Sequence, residues 1–265
     1  MNCADITFVV LTRNEAANIE ACLASTPARS PKLVYDAESR DETVSLARAA
    51  GAAIAVAPWE GYLRARNAAA RLVQTPWTFM LDADERLSRE LAAELLTLQT
   101  APGVAAFSIP RRNWFCGKWI RGCGWWPDRL VRLFKTGCAE LQGHAAASSA
   151  ALHERWRPLG ECTQLESPLD HFSYRSIASY RRKFQLYTAL EAEARTPSLA
   201  ALARAWLTMP LRALWLLFIK GGVLDGWRGL FIATASAMYP VAVVGKAYAV
   251  KRTPAARTRS EERAR

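Results

Sequence analysis

The fold of this chain is decided by the stretch Trp77-Thr78-Phe79-Met80-Leu81-Asp82-Ala83-Asp84-Glu85. Residues 78–81 are uncharged and rich in β-branched and large apolar side chains, which predicts a buried strand. Side chains two apart in a strand share a face, so Asp82 and Asp84 are expected to converge at the strand's C-terminal tip. Two carboxylates there suit Mg²⁺ or Mn²⁺ held together with a substrate's phosphates. The plainer alternative is a solvated turn or a helix cap, because Asp-x-Asp is a common pattern.

Strand and helix patterns alternate on both sides of this stretch. The spacing over residues 5–110 predicts a parallel, doubly wound α/β sheet. The predicted strands are 6–11, 32–35, 53–57, 78–81 and 105–110, and the predicted helices include 18–24, 63–74 and 90–98. A further helix is expected to open with a capping box at Ser39 and Glu42 and to end at Gly51. Ser88 is expected to cap the helix 90–98.

Polar residues follow the predicted strands at their carboxyl ends. Thr12 and Asn14 follow the first strand, Asp36 closes the second, and Asp82 and Asp84 close the fourth. Ligands of such sheets bind beyond the carboxyl ends of the strands, which favours one shared site. The alternative is that loop residues are polar in any protein, but it leaves unexplained the acids that directly close two apolar runs.

Composition narrows the class of protein. The chain has 265 residues, 51% of them hydrophobic, and a formal net charge of +11. The basic balance fits an anionic partner such as nucleic acid, a phosphorylated sugar or an anionic membrane surface. The six cysteines form no C-x-x-C pair, and the three histidines lie outside zinc-site spacings. Scattered thiols and no secretory leader lead us to expect a cytoplasmic protein.

The segment 111–175 loses the alternation and is rich in Arg, Trp and Gly. Aromatic faces beside Arg and Lys can hold a sugar and its phosphates. Core packing under a basic surface explains the same composition, and for any single Trp it is the simpler explanation.

The C-terminal third is apolar and basic. Helices are predicted over 177–194, 202–219 and 229–245, and the last of these has 17 uncharged residues, fewer than the roughly 20 that span a bilayer. Residues 200–265 carry 11 basic and 3 acidic side chains, a net of +8. An interfacial helix on an anionic membrane is therefore expected. A helical subdomain packed on the sheet, or a dimer interface, fits equally well. The tail 251–265 is expected to be disordered.

Taken in order, these segments resemble the family-2 glycosyltransferases of the GT-A fold. They look most like the bacterial lipopolysaccharide-core β-glucosyltransferase group. The resemblance covers about residues 5–250. The matching motifs are Thr12-Arg13-Asn14-Glu15, Asp36-Ala37-Glu38-Ser39-Arg40-Asp41-Glu42-Thr43, Trp59-Glu60-Gly61, Ala65-Arg66-Asn67, Leu81-Asp82-Ala83-Asp84-Glu85, Pro110-Arg111-Arg112-Asn113, Gly117-Lys118-Trp119-Ile120, Arg132-Leu133-Phe134, His153-Glu154 and Gly221-Gly222-Val223-Leu224-Asp225-Gly226-Trp227-Arg228-Gly229.

The resemblance implies an architecture and a donor site. It implies a GT-A-type, mostly parallel doubly wound sheet over residues 1–175, a helical extension over 176–250 and a basic tail over 251–265. Thr12, Asn14 and Asp36 would hold the nucleoside, and Arg66 would meet the diphosphate. In the loop after the second strand, Ala37-Glu38 stands where the family has Ser-Gly, so a negative charge replaces a flexible residue near the diphosphate.

The resemblance also implies the chemistry. Asp84, with Asp82 beside it, would bind the Mg²⁺ or Mn²⁺ that neutralises the leaving diphosphate. The family's usual outcome is inversion, which needs one base to deprotonate the acceptor hydroxyl. Glu154 is the first candidate for this base and Asp128 the second.

The sequence therefore predicts an inverting hexosyltransferase. Its donor would be a UDP-sugar and its acceptor a lipopolysaccharide-core or related glycolipid, with nucleic acid excluded as a partner. It would lie peripherally on the inner face of the inner membrane. A transferase acting on polyprenyl phosphate and a non-enzymatic membrane-binding protein remain as alternatives. A sugar-phosphate nucleotidyltransferase is disfavoured, because Leu11-Thr12-Arg13-Asn14 is not its Gly-rich loop.

Overall fold

The computed structural model describes residues 2–142, 155–196 and 198–252. They form two compact units. Among the described residues, unit 1 comprises 2–114, 127–142 and 155–173, and unit 2 comprises 115–126 and 174–252. Each unit has its own apolar core.

The first half of unit 1 is the alternating α/β pattern that the sequence predicts. Four parallel strands lie in the order β3-β2-β1-β4, and the helices connect them. The elements are β1 Ile6–Thr12, α1 Ile19–Ala24, β2 Lys32–Asp36, α2 Thr43–Ala49, β3 Ala53–Val56, α3 Tyr62–Arg71, β4 Trp77–Asp82, β5 Glu85–Leu87 and α4 Arg89–Thr97. The α/β prediction for this region is confirmed.

The register of the parallel strands brings polar residues to one edge. Thr12 of β1 is the register partner of Asp36 of β2. On the other side of β1, Leu11 pairs with Asp82 of β4. The carboxyl ends of β1, β2 and β4 therefore meet at one edge of the sheet, where ligands of α/β sheets bind.

The second half of unit 1 continues the sheet with strands that are mostly antiparallel to their neighbours, with one parallel exception. The sheet continues from β4 in the order β8-β6-β12-β5. The strands of this half are β6 Val104–Phe115, β8 Asp128–Lys135, β9 Ala139–Gln142, β10 Arg155–Pro158, β11 Glu161–Gln164 and β12 Leu169–Tyr174, and the short β7 Lys118–Trp119 belongs to unit 2. Register pairs Arg111 with Asp128, and His171 with Glu85.

One capping prediction is confirmed and another is wrong. Ser88 caps α4, because its side chain accepts a hydrogen bond from the Leu91 amide at 3.0 Å. The box at Ser39 and Glu42 does not form: α2 begins at Thr43, and its N-cap makes no side-chain bond. The Ser39 hydroxyl instead donates to the Asp36 carboxylate at 2.6 Å. A capping serine must accept a hydrogen bond from a helix amide, but the Ser39 oxygen already accepts the backbone amide of Asn14 at 2.7 Å while its hydroxyl donates to Asp36.

Unit 2 is helical. Its helices are α5 Ile177–Glu193, α6 Leu199–Leu214 and α7 Trp227–Arg252, with a π-helical turn at Trp215–Ile219 and a 3-10 turn at Gly222–Asp225. The buried Asp225 carboxylate accepts hydrogen bonds from the amides of Arg121 and Gly122 at 3.1 and 2.7 Å. The aspartate of the Gly-Gly-x-x-Asp-Gly motif thus has a structural role inside unit 2.

Two helical stretches of unit 2 are long and apolar enough, by length and composition, to cross a membrane. They are Leu199–Ile219 with 21 residues and Trp227–Ala249 with 23 residues. The expectation that 229–245 is too short to span is therefore wrong for the helix as a whole, since flanking residues extend it. The windows are 11% and 39% buried, so the first is almost wholly exposed.

Candidate active site

A buried carboxylate lies where β1 and β2 end. Asp36 is fully buried, and its Oδ1 accepts the hydroxyl of Thr12 at 2.8 Å. Its Oδ2 accepts the backbone amide of Ser39 at 2.7 Å. The predicted pair Thr12 and Asp36 is thus joined by a direct bond, and the loop that follows β2 folds back over the carboxylate.

The loops after β1 and β2 are tied together by Asn14. Its side-chain oxygen accepts the Arg40 amide at 2.8 Å, and its own amide donates to the Ser39 hydroxyl at 2.7 Å. Asn14 and Glu38 both have positive φ, at 57° and 53°. Asn tolerates this conformation, whereas for Glu it costs about 1–2 kcal/mol. The glycine that the family pattern has at position 38 would relieve that strain, and the exposed Glu38 side chain adds charge there instead.

Asp82 carries an arginine on each carboxylate oxygen. Arg66 lies 2.6 Å from Oδ1, and Arg132 lies 2.6 Å from Oδ2. Partial burial alone would raise the pKa of Asp82, but the charges of Arg132 and Arg66 outweigh it and hold that pKa well below its usual range. Asp82 is therefore ionised at any physiological pH, and Arg66, predicted to meet a diphosphate, is engaged here with a carboxylate.

Beneath Asp82 lies a buried ionic cluster. Glu85 is fully buried and accepts hydrogen bonds from Arg132 at 2.5 Å and Arg111 at 3.2 Å. Its second oxygen accepts the Asp82 amide at 3.0 Å. Buried ions are costly unless they are paired and hydrogen-bonded, and here every carboxylate oxygen has a partner. The cluster fixes the backbone of the Asp82–Glu85 turn.

Asp84 faces a histidine. The Nε2 atom of His171 lies 3.4 Å from Oδ2 of Asp84, and both side chains are about four-fifths buried. The Phe172 amide donates to the Asp84 carbonyl at 2.9 Å and fixes the two segments against each other. A carboxylate oxygen and an imidazole nitrogen at this spacing are close enough for one divalent cation to contact both. Within the described residues no group of three or more His, Cys, Asp or Glu side chains converges as a metal site.

Asp128 is joined to the same network of ion pairs through Arg111. Its Oδ2 accepts Nε of Arg111 at 2.9 Å and Nδ2 of Asn113 at 3.2 Å. Burial alone would raise the pKa of Asp128, but the charge and hydrogen bonds of Arg111, with the bond from Asn113, hold that pKa below its usual range. Glu154, the first candidate for the base, lies outside the described residues, as does His153.

Several site residues escape sequence reasoning. Arg111, Arg132 and Asn113 stand in stretches that resemble the family, yet no local pattern marks them as partners of acids. His171 has no local signal at all, apart from being one of only three histidines in the chain. Its place follows from the antiparallel pairing of β12 with β5, which sets it opposite Glu85.

The chain resembles known glycosyltransferases. The model for glycosyl transferase family 2 matches residues 7–184. The lipopolysaccharide core biosynthesis glycosyltransferase LpsC of Rhizobium meliloti (strain 1021) is 27% identical over 259 residues, and the match covers 92% of each chain. An uncharacterized glycosyltransferase of Rickettsia bellii (strain RML369-C) is 38% identical over 91 residues. That match spans 34% of this chain and 31% of the relative, so the chain matches about a third of the length of such relatives.

The fold has a counterpart among solved structures. The mannosyltransferase PcManGT from Pyrobaculum calidifontis, in complex with GDP-Man and Mn²⁺, superimposes with a TM-score of 0.53 at 17% identity. The match covers 92% of this chain and 87% of PcManGT. At this identity the likeness shows the fold alone, which is the GT-A fold with C-terminal helices.

Proposed function

The chain belongs to glycosyl transferase family 2, and from that premise we propose that it moves a hexose from a UDP-sugar to a lipopolysaccharide-core or related glycolipid. One observation carries the proposal. The Thr12–Asp36 pair, the Asp82 turn and the Asp84–His171 pair all lie at the carboxyl edge of one sheet. The match to LpsC, a lipopolysaccharide core biosynthesis glycosyltransferase, covers 92% of each chain and supports an acceptor of the lipopolysaccharide-core class.

The donor would lie along this edge. Thr12, Asn14 and Asp36 hold the nucleoside, and the bonds among their loops fix these side chains before the donor arrives. Arg66 meets the diphosphate, whose oxygens compete with Asp82 for the same guanidinium. Preorganised positioning of this kind supplies much of the rate in glycosyl transfer.

A divalent cation would be held by Asp84 and His171. Of the two aspartates predicted to bind the metal, only Asp84 is kept as a ligand, because both carboxylate oxygens of Asp82 already accept hydrogen bonds from arginines. An imidazole ligand favours Mn²⁺ over Mg²⁺, which prefers oxygen ligands. The cation supplies charge stabilisation to the leaving diphosphate.

The acceptor hydroxyl needs a base, and the transfer is proposed to invert the anomeric carbon. Glu154 remains the first candidate. Asp128 is the weaker one, because a carboxylate with a lowered pKa and three donor atoms on one oxygen accepts a proton poorly.

Unit 2 would bind a membrane surface and so give access to a lipid-anchored acceptor. Four large apolar side chains follow helical spacing along α6 and the π-helical turn after it, and each is at least half exposed: Leu207, Leu211, Leu214 and Phe218. Asp225 is the only acid in residues 199–252, and it is buried, whereas seven basic residues lie in the same range. Two copies of such a face would repel each other, whereas anionic lipid complements it. We place the enzyme in the cytoplasm, peripheral on the inner membrane.

A polyprenyl-phosphate acceptor is the second candidate. The lengths of the two apolar stretches of unit 2 favour it, because they allow true spanning helices.

The test is an assay of nucleoside diphosphate release with a panel of nucleotide sugars, with and without Mn²⁺. Lipopolysaccharide-core glycolipid and polyprenyl phosphate are offered as acceptors in parallel. We expect Mn²⁺-dependent release of UDP with the glycolipid. UDP release with polyprenyl phosphate but not with the glycolipid supports the second candidate. Activity that survives EDTA contradicts the proposal that transfer needs a divalent cation.

A further inference from the structure

A series of hydrogen bonds leads from the partly buried Arg111–Asp128 pair to the Asp84–His171 pair. Arg111 donates to Asp128, and Nδ2 of Asn113 donates to the same carboxylate at 3.2 Å. On its other side, Oδ1 of Asn113 lies 2.6 Å from Nδ1 of His171. The series ends at Nε2 of His171, 3.4 Å from Asp84.

The chemistry of the amide fixes the direction of these bonds. A carboxylate only accepts, so Asp128 must face the NH₂ group of Asn113, and the reverse orientation would set two acceptors against each other. The amide oxygen therefore faces His171. Because that oxygen also only accepts, Nδ1 must carry a proton. In a neutral imidazole the lone pair then lies on Nε2, next to the carboxylate of Asp84.

The Ser173 hydroxyl is the other polar group at Nδ1. Its Oγ lies 2.8 Å from Nδ1 of His171 and 3.3 Å from Oδ1 of Asn113. A hydroxyl both donates and accepts, so Ser173 is compatible with either tautomer and selects neither. The choice between tautomers rests with Asn113.

We propose that Asn113 is a positioning residue, oriented by Asp128, that holds His171 as the Nδ1–H tautomer and so presents the Nε2 lone pair to a divalent cation beside Asp84. The proposal rests on the cation site of the proposed function. It gives Asp128 a role through Asn113 rather than at the acceptor hydroxyl. Partners behind a ligating histidine typically change metal affinity about 10- to 100-fold when removed.

The first experiment needs no metal. Long-range ¹H–¹⁵N spectra of the metal-free protein, recorded above pH 8, separate protonated from unprotonated ring nitrogens, and His171→Gln assigns the signals. We expect a protonated Nδ1 and an unprotonated Nε2 for His171. An unprotonated Nδ1 in the unchanged protein overturns the proposal, whether or not any variant folds.

The second experiment uses variants. Asn113→Leu keeps the approximate shape and removes the amide, whereas Ser173→Ala removes only the hydroxyl beside Nδ1. We expect Asn113→Leu to shift His171 towards the Nε2–H tautomer and Ser173→Ala to leave it unchanged. An unchanged tautomer in a folded Asn113→Leu, or a shift in Ser173→Ala alone, overturns the assignment of Asn113.

Cation binding separates this proposal from the function on which it rests. Free Mn²⁺ is titrated by its paramagnetic resonance signal, with and without UDP. We expect Asn113→Leu to weaken Mn²⁺ binding about 10- to 100-fold and His171→Gln to weaken it at least as much. Unchanged binding in His171→Gln overturns the cation site itself, whereas loss in His171→Gln but none in Asn113→Leu overturns only the role of Asn113.

Discussion

The two units of this protein depart from ordinary burial in opposite ways. Unit 1 buries charge: Glu85 is 0% exposed and Arg132 is 3% exposed. Unit 2 exposes apolar surface: Leu207, Ile219 and Leu224 are 73–77% exposed. Charged residues are rarely fully buried, and soluble monomers rarely expose large contiguous apolar patches, so both departures cost stability unless something offsets them.

The difference indicates what each unit is built to meet. Buried ion pairs hold the Asp82–Glu85 turn in one geometry, which suits a site that must match a charged donor. An exposed apolar face with basic residues suits a partner that is itself apolar and anionic. The candidate active site of unit 1 and the exposed apolar face of unit 2 can therefore be tested by separate variants. Each variant has a control substitution at an exposed residue away from the feature under test.

The largest effect is expected at the carboxylate that faces His171. Asp84→Asn should reduce transfer below detection, by more than about 10³-fold, because several kcal/mol of charge stabilisation is lost with the cation. Stability should fall by no more than about 3 kcal/mol, the usual upper range for a single substitution at a partly buried site. Turnover and urea unfolding are compared with Glu20→Gln, an exposed carboxylate on α1. Full activity in Asp84→Asn would show that this carboxylate holds no cation.

The next effect concerns the base. Glu154→Gln keeps shape but cannot accept a proton, so turnover should fall about 10²–10⁴-fold while donor binding holds. The matched change is Asp128→Asn. Near-normal turnover in Glu154→Gln, together with collapse in Asp128→Asn at unchanged Mn²⁺ affinity, would move the base to Asp128. Loss of donor binding in Glu154→Gln would indicate a structural role.

The third effect is on stability. Arg132→Met leaves Glu85 and Asp82 without their shared cation, and breaking a buried pair typically costs about 3–5 kcal/mol in the free energy of unfolding. Urea denaturation measures it. Arg64→Met is the control, because Arg64 and Glu60 form an exposed pair at 3.9 Å, worth about 0–0.5 kcal/mol.

The same cluster gives stability a pH dependence. The folded-state pKa of Asp82 lies below its unfolded value, so its contribution is complete above about pH 4 and is lost as the pH falls through the folded pKa. Asp82→Asn should therefore flatten the acid limb of the stability curve. If Arg132→Met and Arg64→Met lower the free energy of unfolding equally, the buried cluster contributes no more to stability than an exposed ion pair.

The contrast between the units also explains what sequence reasoning finds and misses. The four parallel strands of unit 1 and the helices between them were predicted within a few residues, because hydrophobic periodicity is a local property. The strands β7 to β12 were not predicted. The edge that gathers Thr12, Asp36 and Asp82 was predicted as well, since parallel strands align their carboxyl ends. The capping box at Ser39 was wrong because its oxygen accepts the backbone amide of Asn14 and its hydroxyl donates to Asp36, contacts that depend on the neighbouring loop after the first strand.

The ion pairs were out of reach for a physical reason. Arg132 and Asp82 are 50 residues apart, and His171 reaches its position only through the pairing of β12 with β5. Antiparallel register depends on the whole sheet, not on a motif. In unit 2 the apolar character of the helices was predicted, but the length of α7 was underestimated. The prediction stopped at the charged residues that bound the uncharged run, whereas the helix continues past them.

The fourth effect tests the exposed face of unit 2. Leu207→Ser with Leu211→Ser should weaken binding to vesicles of anionic lipid about 30- to 150-fold, from about 2–3 kcal/mol of lost apolar transfer. Sedimentation with vesicles measures it. Leu96→Ser is the control, because Leu96 is 58% exposed on α4 of unit 1. If Leu96→Ser weakens vesicle binding equally, exposed leucines anywhere on the protein contribute to binding and unit 2 has no special role. Binding that resists both high salt and alkaline carbonate would favour spanning helices.

The smallest effect separates charge from apolar contact on that face. Arg212 is exposed on α6, and one basic side chain near an anionic surface contributes about 1 kcal/mol, so Arg212→Gln should weaken vesicle binding about 5-fold. The loss should shrink as salt rises, because the attraction is screened over about 8 Å at physiological ionic strength. The control is Arg64→Gln in unit 1, which lowers the net charge equally. If both variants lose binding to the same degree, the protein is attracted by its total charge of +11 and not by this face. A loss confined to Arg212→Gln, and present at low salt only, would place the electrostatic contact on unit 2 and leave the apolar contact to the leucines.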